Sequence, residues 1–187
     1  LPQNSGDPSP FTARGVWQGI KATAKVALDR DSLEGLTIAV QGLGKVGYDL
    51  CRLLHESGAK LIVANRSNKA MAEKAADEFG AVIVPTEEIF AQECDIFSPN
   101  AMGAILNPTT IPQLKCKAVA GGANNQILDD ASGLMLKERG IFYAPDFVIN
   151  GGGVINAAAE VDGPYNKDAV LAKVDNIYNS IEHILTE

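Results

Sequence analysis

Gly42, Leu43, Gly44, Lys45, Val46 and Gly47 follow the spacing G-x-G-x-x-G, which gives each glycine a separate task. An apolar run, "LTIAVQ", leads into them, and an amphipathic helical stretch, "KVGYDLCRLLHESG", starts inside them. In that setting Gly42 makes a tight turn, Gly44 lets backbone approach a pyrophosphate, and Gly47 lets the helix pack close to the strand. The helix start offers unpaired N–H groups and the positive end of a dipole to the anion. The hexapeptide alone would be only a glycine-rich turn. With a strand before it, a helix through it and a second strand, "KLIVAN", after it, it reads as a dinucleotide cradle.

The second strand ends on Asn65-Arg66-Ser67, close to the point, about 20 residues on, where an acid normally receives the ribose of NAD. An Asp or Glu there would repel a 2′-phosphate. Asn65 removes that repulsion and still hydrogen-bonds, Arg66 brings a planar set of donors suited to phosphate, and Ser67 adds a hydroxyl. The trio favours NADP(H), with NAD(H) still possible. A plainer role fits the same residues: Arg66 solvated at a helix entrance, and Asn65 or Ser67 capping that helix.

These groups need a frame. Strands are expected at "LTIAVQ", "KLIVAN", "AVIV", "CDIFSP", "KAVAGG" and "IFYAP". Helices are expected from Phe11 to about Leu28, with Val16, Ile20 and Ala24 on one face, then after the glycine turn, at "NKAMAEKAADEFG", and around Ala131 to Arg139. A last helix covers roughly Lys167 to Leu185, with Val170, Val174, Ile177, Ile181 and Ile184 in phase. Apolar strands alternating with helices predict an α/β fold of Rossmann type, doubly wound, with a largely parallel sheet of about six strands. Residues 1–10, "LPQNSGDPSP", read as a hinge or linker, and residues 11–187 as one dinucleotide-binding domain. No internal repeat or low-complexity segment interrupts it.

The bulk properties exclude several classes. Sixteen basic residues against 23 acidic ones, a formal net charge of −7, oppose a general nucleic-acid surface. Cys51, Cys94 and Cys116 lie far apart with no CxxC pair, so no metal site or disulfide framework is implied. They read as small buried side chains of a reducing compartment. His55 and His183 each stand alone in a helical pattern and receive no catalytic role. No apolar run reaches the length of a membrane span. Cofactor and cysteines together suggest the cytoplasm.

The segments "SGDPSPFTARGVWQGIKA", "VQGLGKVG", "CDIFSPNAMGAILN", "VAGGANNQI" and "APDFVINGGGVINAAAE" together resemble the cofactor domain of the amino-acid dehydrogenases. The leucine, valine and phenylalanine branch is more similar than glutamate dehydrogenase. The resemblance implies reversible oxidative deamination of an apolar L-amino acid to a 2-oxo acid and ammonia, with a nicotinamide cofactor. It also implies residue roles. Thr12 would lie near the nicotinamide carboxamide, and Asn100 and Ala101 beside the cofactor ribose. Ala123 and Asn125 would contact the nicotinamide ribose and carboxamide. Asn150 would face both substrate and nicotinamide, and Val154 would help line the side-chain pocket.

Two departures qualify the resemblance. Relatives usually carry an acid at position 65, so NAD dependence does not transfer. The family's substrate carboxylate-binding lysine, general-base lysine and amine-handling aspartate belong to an N-terminal substrate domain, expected to lie outside this chain. Lys21 and Lys25 cannot be promoted to those roles by position, and Asp146 in "APDFV" reads as a helix cap. No catalytic residue and no metal ligand is therefore assigned. The chain is expected to bind cofactor without efficient turnover, as a monomer or a homo-oligomer. Two other readings stand beside this one: a stand-alone NADP(H)-binding or sensor module, and another NADP-dependent reductase, because "NRS" is also similar to shikimate-type dehydrogenases.

Overall fold

The computed structural model describes residues 6–161 and 164–187. The first helix, α1 (Ser9–Leu28), carries Pro10 in its opening turn, where a missing N–H costs nothing, and ends at Asp29 in the left-handed region. It starts two residues inside the stretch read as a hinge, and residues 1–5 lie outside the described part. Val16, Ile20 and Ala24 are fully buried as their spacing predicts. Trp17 is a packing residue, its indole N–H donating to Ser57 Oγ at 2.9 Å.

Among the described residues six strands follow: β1 (Thr37–Gln41), β2 (Lys60–Ala64), β3 (Val82–Ile83), β4 (Ile96–Pro99), β5 (Ala118–Val119) and β6 (Phe142–Tyr143). They form one sheet in the order β3-β2-β1-β4-β5-β6, every pair parallel. Side chains alternate between two cores. Ile38, Val40, Leu61, Val63 and Ile96 face one layer with α1; Ala39, Ala64, Phe97 and Val119 face the other. The third strand is shorter than "AVIV" suggested. As the edge strand it leaves Val82 and Ile83 exposed.

Helices α2 (Lys45–Glu56), α3 (Lys69–Phe79) and α4 (Asp130–Glu138) lie where the periodicity put them. Gly58 and Gly80 stop the first two in the left-handed conformation that favours glycine. Between β4 and β5 no α-helix forms. Asn107 Oδ1 accepts from the N–H groups of Thr109 and Thr110, and these local bonds hold an irregular path.

After β6 come α5 (Asp146–Ile149), α6 (Gly152–Ala158), α7 (Lys167–Asp175) and α8 (Ile177–Thr186). The single last helix expected from the pattern is thus two, broken at Asn176, which closes α7 and opens α8. Val170, Val174, Ile177 and Ile181 are buried, while Ile184 remains exposed. Asp146 differs as well. Pro145 is the capping residue of α5, and the Asp146 carboxylate accepts from Gln126 N at 3.0 Å and Phe147 N at 2.8 Å. It ties the loop after β5 to the loop after β6.

α1 and α7 are joined by a polar clamp. Arg14 Nε and Nη2 donate to the two Asp175 oxygens at 2.6 and 2.8 Å, and Gln18 Nε2 adds a third bond at 2.7 Å. The Arg14 guanidinium holds the Asp175 carboxyl below its ordinary range. A carboxyl with a depressed folded pKa stabilises above its unfolded value, near 3.9, and loses that contribution as pH falls through the folded value. With both side chains 35% exposed, solvent screening limits the clamp to about 1 kcal/mol. Asp175→Asn should therefore cost about that much at pH 7. The gap from the unaltered protein, followed by urea denaturation, should close as pH falls below about 4.

Candidate functional site

The polar residues singled out by sequence converge on the carboxyl ends of the strands, where open parallel sheets bind ligands. Gly42 leaves β1 at φ +91°, and a Cβ there would lie 2.7 Å from Ala101 Cβ. A Cβ on Gly47 would come within 2.0 Å of Gly42 O, so the turn and the first turn of α2 are in backbone contact. A Cβ on Gly44 would meet nothing within 4 Å. Gly44 caps α2 without a side chain, leaving the N–H groups of its first turn aimed at that open space. Leu43 is buried beneath the turn. Lys45 reaches across the opening to Asp7 at 2.9 Å, and its ammonium holds the Asp7 carboxyl well below the usual range.

Asn65 works within the protein. Its Oδ1 accepts from Leu43 N at 3.3 Å, and its Nδ2 donates to Asn68 O at 2.8 Å, joining the glycine turn to the entrance of α3. Asn68, not Asn65 or Ser67, caps α3 by accepting from Met71 N. Arg66 and Ser67 are exposed. With Gly42, Asn65, Ala101 and Met102 they line a cavity of about 350 Å³ whose lining, among the described residues, includes no carboxylate. A neighbouring cavity of about 560 Å³ is lined by Leu43, Gly44, Lys45, Asn65, Ser67 and Asp7, among others. A separate apolar groove between α4 and β6 lies away from these loops.

The loops after β4, β5 and β6 form the other side. Asn100 Nδ2 donates to Ser98 O and Ser98 Oγ, both at 3.0 Å, and its Oδ1 accepts from Gly122 N at 2.9 Å. Gly122 in turn faces Val16 and Val46, which brings α1, α2, β4 and β5 to one point. Ala123 is buried, its N–H on Pro99 O at 3.0 Å. Asn125 adopts φ +50° and its carbonyl accepts from Ala104 N at 2.7 Å, so its backbone shapes the loop. The neighbour Asn124 makes the side-chain contact, its Oδ1 accepting from Asn150 Nδ2 at 2.6 Å. Thr12 Oγ1 donates to Pro8 O at 3.2 Å, and a Cβ on Gly153 would lie only 2.6 Å from that hydroxyl. Val154 stands on α6, 73% exposed, and lines neither cavity.

Four contributors were not read from sequence. Ser98 is a polar residue inside an apolar strand, fully buried to hold Asn100, and that misplaced polarity was the available signal. Gln41 is similar: nearly buried, with Oε1 lacking a protein partner beside the first cavity. Asp7 lay hidden in a stretch dominated by turn residues. Asn124 could not be told from Asn125 without the backbone.

A parallel six-stranded sheet in this order, with a glycine turn at its centre, is the Rossmann-like fold of dehydrogenases. The glutamate/leucine/phenylalanine/valine dehydrogenase family profile matches residues 7–75 and 62–187. The chain belongs to that family.

It is 56% identical over 178 residues to leucine dehydrogenase of Thermoactinomyces intermedius, covering 95% of this chain and 48% of that one. It is 44% identical over 187 residues to phenylalanine dehydrogenase of Lysinibacillus sphaericus, covering 98% and 49%. The crystal structure of L-tryptophan dehydrogenase from Nostoc punctiforme superposes with a TM-score of 0.93 at 42% identity, over 97% of this chain and 55% of that one. The chain spans about half the length of the curated relatives it matches.

Proposed function

We propose that this chain is the cofactor-holding part of an L-amino-acid dehydrogenase that takes NADP(H) in preference to NAD(H). The observation that carries the preference is the cavity at the end of β2, lined by Arg66 and Ser67 and, among the described residues, by no carboxylate. A 2′-phosphate there would meet a guanidinium and a hydroxyl. The open space over Gly44 and the uncapped start of α2 suit the pyrophosphate. Asn65 supports the turn by holding Leu43 N, and Lys45 adds a cation at the opening. When bound, the nicotinamide supplies the hydride-accepting group.

The protein's own residues position and enclose. Asn100 holds the β4 and β5 loops together, Asn124 and Asn150 bridge the next two, and Thr12 lies under Gly153 at the same rim. Asn150 is the residue of this group proposed to face substrate, with Val154 on the exposed side of α6. The reaction of the complete protein is then reversible oxidative deamination of an apolar L-amino acid to a 2-oxo acid and ammonia. Its proton-transfer groups would come from a substrate domain beyond this chain, so this chain by itself binds cofactor and does not turn over. Family membership replaces the comparison with shikimate-type reductases.

Titration with NADPH and with NADH, followed by cofactor fluorescence, tests the reading. NADPH should bind at least tenfold more tightly, about 1.4 kcal/mol, and Arg66→Ala should erase that gap. Equal binding would make Arg66 and Ser67 nothing more than an exposed helix entrance. Binding of neither would show that the isolated piece lacks a competent site.

A further inference from the structure

The three free cysteines do not lie equally far apart in space. Cys94 precedes β4 and Cys116 precedes β5, and those strands pair in parallel with Ile96 opposite Ala118 and Phe97 opposite Val119. Lys117 N donates to Asp95 O at 3.0 Å, so the ladder continues back to within one residue of both cysteines. Counting back two residues on each strand puts Cys94 beside Cys116, with the same parity and so on the same face of the sheet. Their packing agrees. Cys116 is buried in the core that contains Phe97 and Leu114, and Cys94 packs against that same core. Cys51 belongs to the other core, on the opposite face.

Adjacent strands lie about 4.8 Å apart, inside the roughly 4.4–6.8 Å of Cα separation that a disulfide spans. The two thiols perturb each other's titration: Cys94 holds the Cys116 thiol below its ordinary range, and Cys116 pushes Cys94 up. The Arg139 guanidinium, fixed by the carbonyls of Ile111 and Leu114, adds positive charge beside Cys116. An ionisable thiol next to a second thiol and a fixed cation is the setting of reactive cysteines. Cys51 has neither, and burial pushes its thiol up to about 12.

We propose that Cys94 and Cys116 form a peroxide-sensitive redox pair, a modification site at the end of the sheet opposite the glycine turn, closing reversibly to a disulfide. The Cys116 thiolate attacks one oxygen of hydrogen peroxide and the O–O bond breaks. Hydroxide leaves and takes a proton to become water, and Cys116 carries a sulfenic acid. The Cys94 sulfur then attacks Cys116, the S–O bond breaks, and a second water leaves as the S–S bond forms. Two thiols are oxidised and one peroxide is reduced. Access is by way of Cys94, which is only half-buried. The bond staples β4 to β5, whose far ends lead to Asn100 and Gly122, and it does not depend on the cofactor reading.

Peroxide treatment of the purified protein, followed by thiol titration in denaturant and non-reducing peptide mapping, tests this. The expected result is that reactive thiols fall from all three cysteines to Cys51 alone, with one peptide pair joining Cys94 to Cys116. Closing that loop should raise Tm by about 5 °C, and dithiothreitol should reverse both changes. Cys94→Ser and Cys51→Ser separate the roles: the first abolishes the link, the second leaves it. Three unchanged thiols, a bond involving Cys51, a bond between molecules, or sulfinic acid without a link would each overturn the proposal.

Discussion

Gly47→Ala is expected to damage the fold and the cofactor site together, whereas Gly44→Ala should spare the fold and damage only the site. The added Cβ at position 47 would lie 2.0 Å from Gly42 O, and both sides of the contact are main chain. No flexible side chain can yield, so α2 must move off the end of β1. Overpacking of this kind costs about 3 kcal/mol, which for a chain of this size lowers Tm by roughly 6–12 °C. Position 44 is the opposite case. Its φ of −71° suits alanine, and its Cβ would touch nothing. The methyl also removes freedom from the unfolded chain, so Tm should hold or rise slightly. That same methyl would occupy the space a pyrophosphate needs, and dinucleotide affinity should fall at least tenfold, or about 1.4 kcal/mol. Paired thermal melts and fluorescence titrations read both. Normal binding by Gly44→Ala would remove the anion from this turn, and an unchanged melt for Gly47→Ala would mean that helix and strand are not in rigid contact.

The contrast also shows what the sequence could convey. Gly42 and Gly47 announced their tasks because each task excludes a side chain, and exclusion is visible in residue type alone. The strands were legible for a similar reason: buried on both faces, they are apolar throughout, and Ile38 to Val40 or Leu61 to Ala64 could hardly be anything else. Edges were less clear. Val82 and Ile83 look like core residues but stand at the end of the sheet, and no local pattern tells the outermost strand from an inner one. The break at Asn176 was hidden because Val174, Ile177 and Ile181 keep helical phase across it. Within the site, residue types were legible and their pairings were not. Asn124 bonds to Asn150 while Asn125 bends the chain, a division decided by one left-handed φ. The Cys94–Cys116 neighbourhood depends on register between β4 and β5, which spacing along the chain does not reveal.

Asn65→Asp should reverse the cofactor preference proposed above, and the reason is more than a restored charge. Asn65 now makes two bonds, and an aspartate can keep only one: Oδ1 still accepts from Leu43 N, but no donor remains for Asn68 O. Losing one exposed hydrogen bond costs about 1 kcal/mol, so the entrance of α3 loosens while the glycine turn stays anchored. The new carboxylate then faces the cavity shared with Arg66 and Ser67. At an effective dielectric near 20, two charges about 4 Å apart interact by about 4 kcal/mol. Partial exposure reduces this, which leaves an expected loss of roughly a hundredfold for NADPH, near 2.7 kcal/mol. NADH carries no 2′-phosphate, and its ribose hydroxyls gain an acceptor. Its affinity should hold or improve, and the ratio of the two dissociation constants should cross unity. Arg66 will blunt the change by pairing with the new acid, so Asn65→Asp with Arg66→Ala should move the ratio further than either alone. If Asn65→Asp weakens both cofactors equally, the effect comes through the turn and not through a phosphate, and the NADP(H) reading of this cavity fails.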